Sequence, residues 1–228
     1  MPGIRIQVPT EFTDTTLPVI DLSEPVTPFT DAYVDYAAAD LDLGAVTAWP
    51  SLVASSPGLS GAATVVDEAG AKHVHFNGTS DYLDAAMSHA QPETVGIRFR
   101  FGTLKASHVI AGATASGSIT IATTAEATPV NHQLFAGSAL TCSPAIAPST
   151  SLWRTAIVVS NGASPNSILS IDGVERAGAA GTNARNGLRL GRGTTSTYFP
   201  IDIRRVIVLK RAADSTERAA LKAVLDAA

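Results

Sequence analysis

A single cysteine, Cys142, stands among 228 residues, so no internal disulfide framework and no cysteine-built zinc knuckle can form. Ser143 and Pro144 follow it and bring no cation to activate a thiol, so Cys142 reads as a small buried apolar side chain. Charge is scarce as well: Asp, Glu, Lys and Arg make up 16% of the chain, against about 25% in average soluble domains. A net charge of -4 argues against a nucleic-acid binder, which needs a basic stripe to displace counterions. Arg204, Arg205, Lys210 and Arg211 do cluster, but the first two interrupt an apolar run and read as charges at a sheet rim. No apolar stretch reaches the ~20 residues of a membrane helix. The start, Met1-Pro2-Gly3-Ile4, has neither the basic region nor the apolar core of a secretory signal. The expectation is a soluble protein that reaches a surface, if at all, on an assembled particle. Aromatic residues are only 6%, too few to advertise an extended sugar-stacking platform.

What is present is a core. Hydrophobic residues supply 45% of the chain, enough to exclude wholesale disorder. Residues 1–28 stand apart as an extended amino-terminal arm, punctuated by Pro2, Pro9, Pro18, Pro25 and Pro28. Within the arm, Ile4, Ile6 and Val8 alternate with Arg5 and Gln7, and Phe12 follows. That is a half-buried strand with nothing of its own to bury against, so it reads as a docking arm for another surface.

Residues 29–228 read as the domain proper. Val74 and Phe76 alternate with His73 and His75 before the turn pair Asn77-Gly78, and Tyr82 and Leu83 resume extended chain. Ile97, Phe99 and Phe101 share one face of a strand. Short strands follow around 109–110, 118–122 and 132–135, then 153–159, 168–171, 174–176, 188–191 and 201–209. Asp172-Gly173 marks a hairpin turn. One helix is expected from Asp214, with Glu217 completing a capping box and Leu221, Val224 and Leu225 at helical spacing. Many short strands and one terminal helix predict an all-β, two-sheet antiparallel sandwich, with the helix at its edge.

Three segments carry a resemblance. Tyr36-Ala-Ala-Ala-Asp-Leu with Trp49-Pro50, Val74-His-Phe-Asn-Gly-Thr-Ser-Asp-Tyr-Leu83, and Trp153 through Ile171-Asp-Gly173, Leu188-Arg-Leu-Gly191 and Ile201-Asp-Ile203 stand in order. Together they resemble the laminin-G-like, concanavalin-A-like jelly-roll domains of lectins and glucanases found in bacterial and phage proteins. The resemblance spans about Asp31 to Leu225. It implies a jelly roll, and it implies rim loops that bind glycans, in some members with calcium.

The residues say little for chemistry. Retaining glycosidases of this architecture need two carboxyls about 5–5.5 Å apart. No Glu here has an Asp two places away, and Asp40 and Asp42, which do share i, i+2 spacing, fall in a turn-like stretch. Gly191-Arg-Gly193 lacks the helix start of a phosphate loop and reads as a glycine-rich strand exit. His73 and His75 share a strand face and could hold a metal with a third ligand such as His89, His108 or His132, but such pairs serve more often as polar surface residues. No catalytic residue is assigned. The ligand-binding candidates are Trp49, Asn77, Tyr82 and Tyr198, and the candidate calcium ligands are Asp81 and Asp84. The alternative for Asn77, Thr79 and Asp81 is that they cap their own turn. Trp153, opening an apolar strand, is expected in the core.

The expected function is therefore non-enzymatic. The first reading is a phage virion component, a capsid decoration or tail-associated protein, that forms a homo-oligomer and docks on a particle shell or tail protein through its arm. The alternative is a soluble carbohydrate-binding module, with or without calcium. Neither nucleic acid nor membrane is expected as a partner, and no cofactor other than calcium.

Overall fold

Strands take up just over half of the described residues. The computed structural model describes residue 29 and residues 31–103, 107–115, 118–123, 131–142, 150–162, 166–193 and 196–228. The expected arm, with Ile4, Ile6, Val8 and Phe12, lies outside the described residues. The strands are β1 (Ala32–Ala37), β2 (Gly44–Trp49), β3 (Leu59–Glu68), β4 (Ala71–Asn77), β5 (Tyr82–His89), β6 (Glu93–Phe101), β7 (Val109–Ala111) and β8 (Thr120–Thr123). They continue with β9 (His132–Phe135), β10 (Ala139–Thr141), β11 (Arg154–Ser160), β12 (Ser167–Ile171), β13 (Val174–Gly178), β14 (Arg185–Leu190) and β15 (Pro200–Leu209), followed by helix α1 (Ser215–Asp226).

One sheet has eleven strands, with the path β13-β12-β11-β6-β15-β4-β3-β5-β14, β1 beside β15 and β2 beside β3. A second has four, β10-β9-β8-β7. The pairings between these strands are antiparallel. β3 serves two neighbours: Thr64–Glu68 pair with β4, whereas Ser60–Ala62 pair with β5. The strand thereby leads the chain from one layer into the other. Gly112 exchanges two backbone hydrogen bonds with Arg189, which stitches the four-stranded sheet beside β14.

The core lies between the layers. Ile97, Phe99 and Phe101 of β6 turn inward as expected, and Val206 and Ala156 flank Ile97 on the neighbouring strands. They share one buried cluster with Ile119, Ile121 and Leu134. His132 packs among the rings of Phe99 and Phe101, and His108 stacks between Phe101 and Phe199. Cys142 is buried, as its surroundings in sequence suggest, and that burial pushes its thiol pKa up.

Helix α1 starts as its capping box requires, with Asp214 accepting from the Glu217 amide and Glu217 returning the bond. It lies over the outer face of β6 and β11 rather than at an edge. Leu221 and Leu225 fill the hollow left by Gly96, where a Cβ would come within 2.8–3.0 Å of them. Ile157, Ile207 and Leu209 complete this small outer cluster.

One ion pair crosses the interior. Arg185 and Glu93 are both fully buried, and the guanidinium donates to both carboxylate oxygens, with Nε at 2.9 Å from Oε2. His89 Nε2 adds a contact at 2.8 Å. Burial alone would raise the pKa of Glu93. The charge of Arg185 and the His89 and Arg185 hydrogen bonds outweigh it and hold Glu93 at about 2. Arg185→Met should strand a buried carboxylate and cost roughly 3–5 kcal/mol. The double variant Glu93→Gln/Arg185→Met should recover part of that loss, read as its denaturant midpoint lying above that of the single variant.

His132 yields a pH dependence. Burial first, then the nearby Arg154 charge, push its pKa down to about 4. The unfolded chain takes up that proton near ~6.5. Folding stability should therefore be fully present above about pH 6.5 and fall as pH drops toward 4, by about 3 kcal/mol in all. Unfolding of wild type and His132→Phe across this range tests it: the variant should lose that slope.

Candidate functional site

The rim beside the Asn77–Asp84 turn is built by three segments. The first is the turn itself. The Asn77 side-chain oxygen accepts from the amides of Thr79 at 2.8 Å, Ser80 at 3.0 Å and Asp81 at 3.2 Å. Its amide group donates to Ser80 Oγ and Asp81 Oδ1. Gly78, at φ +72°, sits against Pro200, where a Cβ would approach within 2.5 Å, so the turn rests directly on the start of β15. The second segment is β5, which carries Tyr82 and Asp84. The third leaves β14 at Gly191, whose φ is +75°. A Cβ there would meet Phe76 at 2.3 Å and the Asp81 carbonyl at 2.8 Å. Only glycine allows this approach, and it sets Arg192 against the turn.

The result is a cluster of two tyrosines and an arginine. The Tyr82 and Tyr198 rings lie 6.3 Å apart, tilted by 54°. The Arg192 guanidinium sits in the angle between them, 4.5 Å from one centroid and 5.6 Å from the other. Arg192 and Tyr198 also share a backbone bridge. All three side chains are half-buried, so the patch is shaped yet reachable. Next to it, Arg189 clasps Asp84 through two bonds of 2.7 Å and donates to the Gly193 carbonyl. The Asp84 carboxylate raises the pKa of Arg189 further above its ordinary value.

The sequence expectations fare unevenly. Tyr82 and Tyr198 are brought together. Trp49 is not: it is fully buried at the end of β2, its indole nitrogen donating to the Ala37 carbonyl and its ring against Tyr36. A tryptophan with no exposed face cannot stack on a ligand, so Trp49 is corrected to a core residue. Asn77 is exposed, but its amide is spent on its own turn, and it is corrected to a turn cap.

Asp81 and Asp84 are neighbours without forming a cation cage. Both oxygens of Asp84 face Arg189, and those of Asp81 accept from Asn77 and Ser80. Both Asp84 oxygens are thus engaged by a guanidinium. No group of three or more metal-ligating side chains assembles among the described residues.

Trp153 is corrected in the opposite sense from Trp49. It lies half-buried on the outer face, with Arg204 at 4.1 Å and Arg100 at 4.7 Å from its ring and His73 edge-on at 5.4 Å. His73 and His75 do share a face there, and both turn to Asp202, at 3.8 and 2.7 Å. Arg100 grips the other Asp202 oxygen at 2.8 Å. His89, His108 and His132 lie elsewhere, against Glu93 and in the core. Arg204 and Arg205 occupy the outer face of a central strand rather than a rim, and Arg205 is held by Asp35 at 2.7 and 2.9 Å. A cavity of about 560 Å³ opens beside them, but its Lys72 donates to the Ala39 and Leu41 carbonyls.

The residue missed in the sequence is Arg192. Its flanking glycines suggested a strand exit, which they are. What they also do is bring a cation flush against an aromatic pair.

No protein-family model and no curated protein sequence matches this chain. Solved structures do. The chain is similar to Trypanosoma rangeli sialidase, with TM-score 0.60 and 12% identity over 85% of this chain and 32% of that one. It thus spans about a third of the sialidase. It is similar to domain 4 of AbnA, a GH43 extracellular arabinanase from Geobacillus stearothermophilus solved with arabinotriose, with TM-score 0.61 and 12% identity over 84% of this chain and 98% of that domain. The binding domain of Paraclostridial Mosquitocidal Protein 1 matches with TM-score 0.62 and 10% identity over 86% of this chain and 52% of that one. At such identities the likeness is one of fold: a β-sandwich shared with enzymes that act on carbohydrates and with binding domains.

Proposed function

We propose that this chain is a non-catalytic, laminin-G-like carbohydrate-binding module whose ligand meets the Tyr82–Tyr198 rim. The observation that carries the reading is the convergence of two half-buried tyrosines, from segments far apart in sequence, on one patch beside a glycine-shaped turn. Tyrosine suits such a place because it offers an apolar ring and a polar tip at once. A sugar has the complementary character, an apolar C–H face edged by hydroxyls. The AbnA domain, similar to this chain over almost its whole length, was solved with arabinotriose. That makes a neutral pentose oligosaccharide the first probe. The proposal draws on no calcium, since Arg189 already neutralises Asp84.

Hydrolysis is not part of the proposal. A glycosidase needs one carboxylic acid kept protonated by a raised pKa. Among the described residues, the carboxyls whose pKa is shifted, Asp31, Glu68, Glu93 and Asp226, are all moved down, mainly by hydrogen bonds and charge from arginine, lysine or histidine. That is the wrong direction for a general acid. Asp40 and Asp42, the one i, i+2 pair, lie in and just after a short 3₁₀ turn.

Titration calorimetry of arabino- and xylo-oligosaccharides against the full chain tests the reading. Tyr82→Ala and Tyr198→Ala should each weaken binding about tenfold, on the order of 1.4 kcal/mol, without release of reducing ends in any sample. Unchanged affinity in both variants would remove the rim from the account, and turnover would remove the word non-catalytic.

Display on a virion, with a particle shell or tail protein and further copies of the chain as partners, is a second proposal. It rests on the apolar alternation of Ile4, Ile6 and Val8 among five prolines. Deleting residues 1–28 should lower the oligomeric mass and abolish particle attachment. If both survive while only thermal stability falls, the segment is an edge strand of its own domain.

A further inference from the structure

We infer that the rim selects acidic sugars, with Arg192 reading a ligand carboxylate of the kind carried by uronic acids. The inference rests on the carbohydrate-binding reading and adds to it the class of ligand. Its basis is the pairing of arginines across the fold. Among the described residues, eight arginines have a carboxylate oxygen within 3.0 Å, Arg185, Arg189 and Arg205 among them. Arg192 has none. Its contacts are the two tyrosine rings, and its Nε is buried without an acceptor.

A buried donor left without a partner is costly, and a cation–π contact satisfies charge without satisfying the N–H groups. The rings nonetheless hold the guanidinium in one orientation. They also keep it half-buried, where a charge-assisted bond is stronger than in open water. The neighbouring carboxylate that could quench Arg192, Asp84, is already taken by Arg189 on two bonds of 2.7 Å. Asp81 spends its oxygens on Asn77 and Ser80. What remains is a planar fork of donors beside apolar ring surface. The partner that fits is a planar carboxylate on a ring with an apolar face, because it can accept two parallel bonds while the sugar packs on the tyrosine.

The outer-face cations make a useful contrast. Arg100 near Trp153 is saturated by Glu68 and Asp202, and Arg204 donates to the Ala228 carbonyl. An aromatic ring with arginines is thus not enough. Arg204 shares with Arg192 a missing carboxylate and an unpartnered Nε, but one of its Nη groups is spent on the Ala228 carbonyl, whereas no side-chain donor of Arg192 has an acceptor among the described residues.

The test uses the full chain with three probes: trigalacturonate, its methyl ester, and arabinotriose. The ester removes the charge and keeps the ring. A fourth arm, a galactose 6-sulfate oligomer, separates a carboxylate fork from attraction to any anion. Wild type should bind trigalacturonate at least tenfold more tightly than the ester or arabinotriose, and more tightly than the sulfate. The preference over the ester should weaken with added salt. In Arg192→Gln the ratio of acid to ester should fall to about one. If wild type binds acid and ester alike, Arg192 does not read a carboxylate, yet the carbohydrate-binding reading stands. Equal or tighter binding of the sulfate overturns the carboxylate assignment. If the acid preference persists in Arg192→Gln, another residue reads the acid and the inference is wrong. If nothing binds, both readings fall together. Because Arg192 packs on two rings, its replacement could loosen the rim, so melting temperature is recorded alongside. Should Arg192→Gln fail to fold, the acid-to-ester ratio in wild type decides alone.

Discussion

An ion pair in the dry centre of a sandwich tolerates no misfit, and Glu93 with Arg185 sets that condition here. Glu93 opens β6 in one layer and Arg185 opens β14 in the other, so their bonds bind the layers together as well as the charges. Taking Arg185 away leaves a buried carboxylate with His89 as its remaining side-chain partner. The surrounding polar groups follow suit. Gln91 donates to the carbonyls of Gly181 and Asn183, and Ser118 joins Ala184 and Asn186. The segment leading into β14 is therefore fixed at its start, which decides where the strand ends and where Arg192 emerges.

The same arginine–carboxylate fork recurs between neighbouring strands. Asp35 with Arg205 joins β1 to β15, Asp84 with Arg189 joins β5 to β14, and Asp202 with Arg100 joins β15 to β6. Eight arginines among the described residues are paired with carboxylates. An arginine packed on two aromatic rings, with no hydrogen-bond acceptor among the described residues, departs from that pattern. The Arg192 side chain is held by its two ring contacts, beside the Asp84–Arg189 fork. The proposed ligand choice thus has the same origin as the structure, the pairing of arginine with carboxylate, completed at Arg189 beside the rim and left open at Arg192.

Much of the fold was legible because period-2 alternation survives in single strands such as β4 and β6, and because Asn77-Gly78 and Asp172-Gly173 mark turns by backbone conformation. The Asp214–Glu217 box was equally local. β3 was hidden by the feature that makes it work. Gly61 breaks the strand pattern, yet a Cβ there would lie 2.2 Å from the Tyr82 carbonyl, so the glycine admits the close approach of β5. Trp49 misled because Pro50 follows it, although its ring had already turned inward. The site was half legible. Tyr82 and Tyr198 could be proposed as aromatics near turns, but their meeting depends on the β5–β14 pairing, which no local signal encodes. Arg192 carried no signal beyond its two glycines, whose packing against Phe76 belongs to tertiary structure.

The most direct measurement of the central claim is amide chemical-shift mapping of the isotopically labelled chain during titration with trigalacturonate. The account predicts saturable shifts concentrated on Asn77–Asp84 and on the segment from Gly191 to Tyr198, together with a shift of the Arg192 Nε–H resonance as its donors are taken up. Shifts centred instead on Trp153, Arg204 and the cavity beside Lys72, with the Arg192 resonance unmoved, would contradict it.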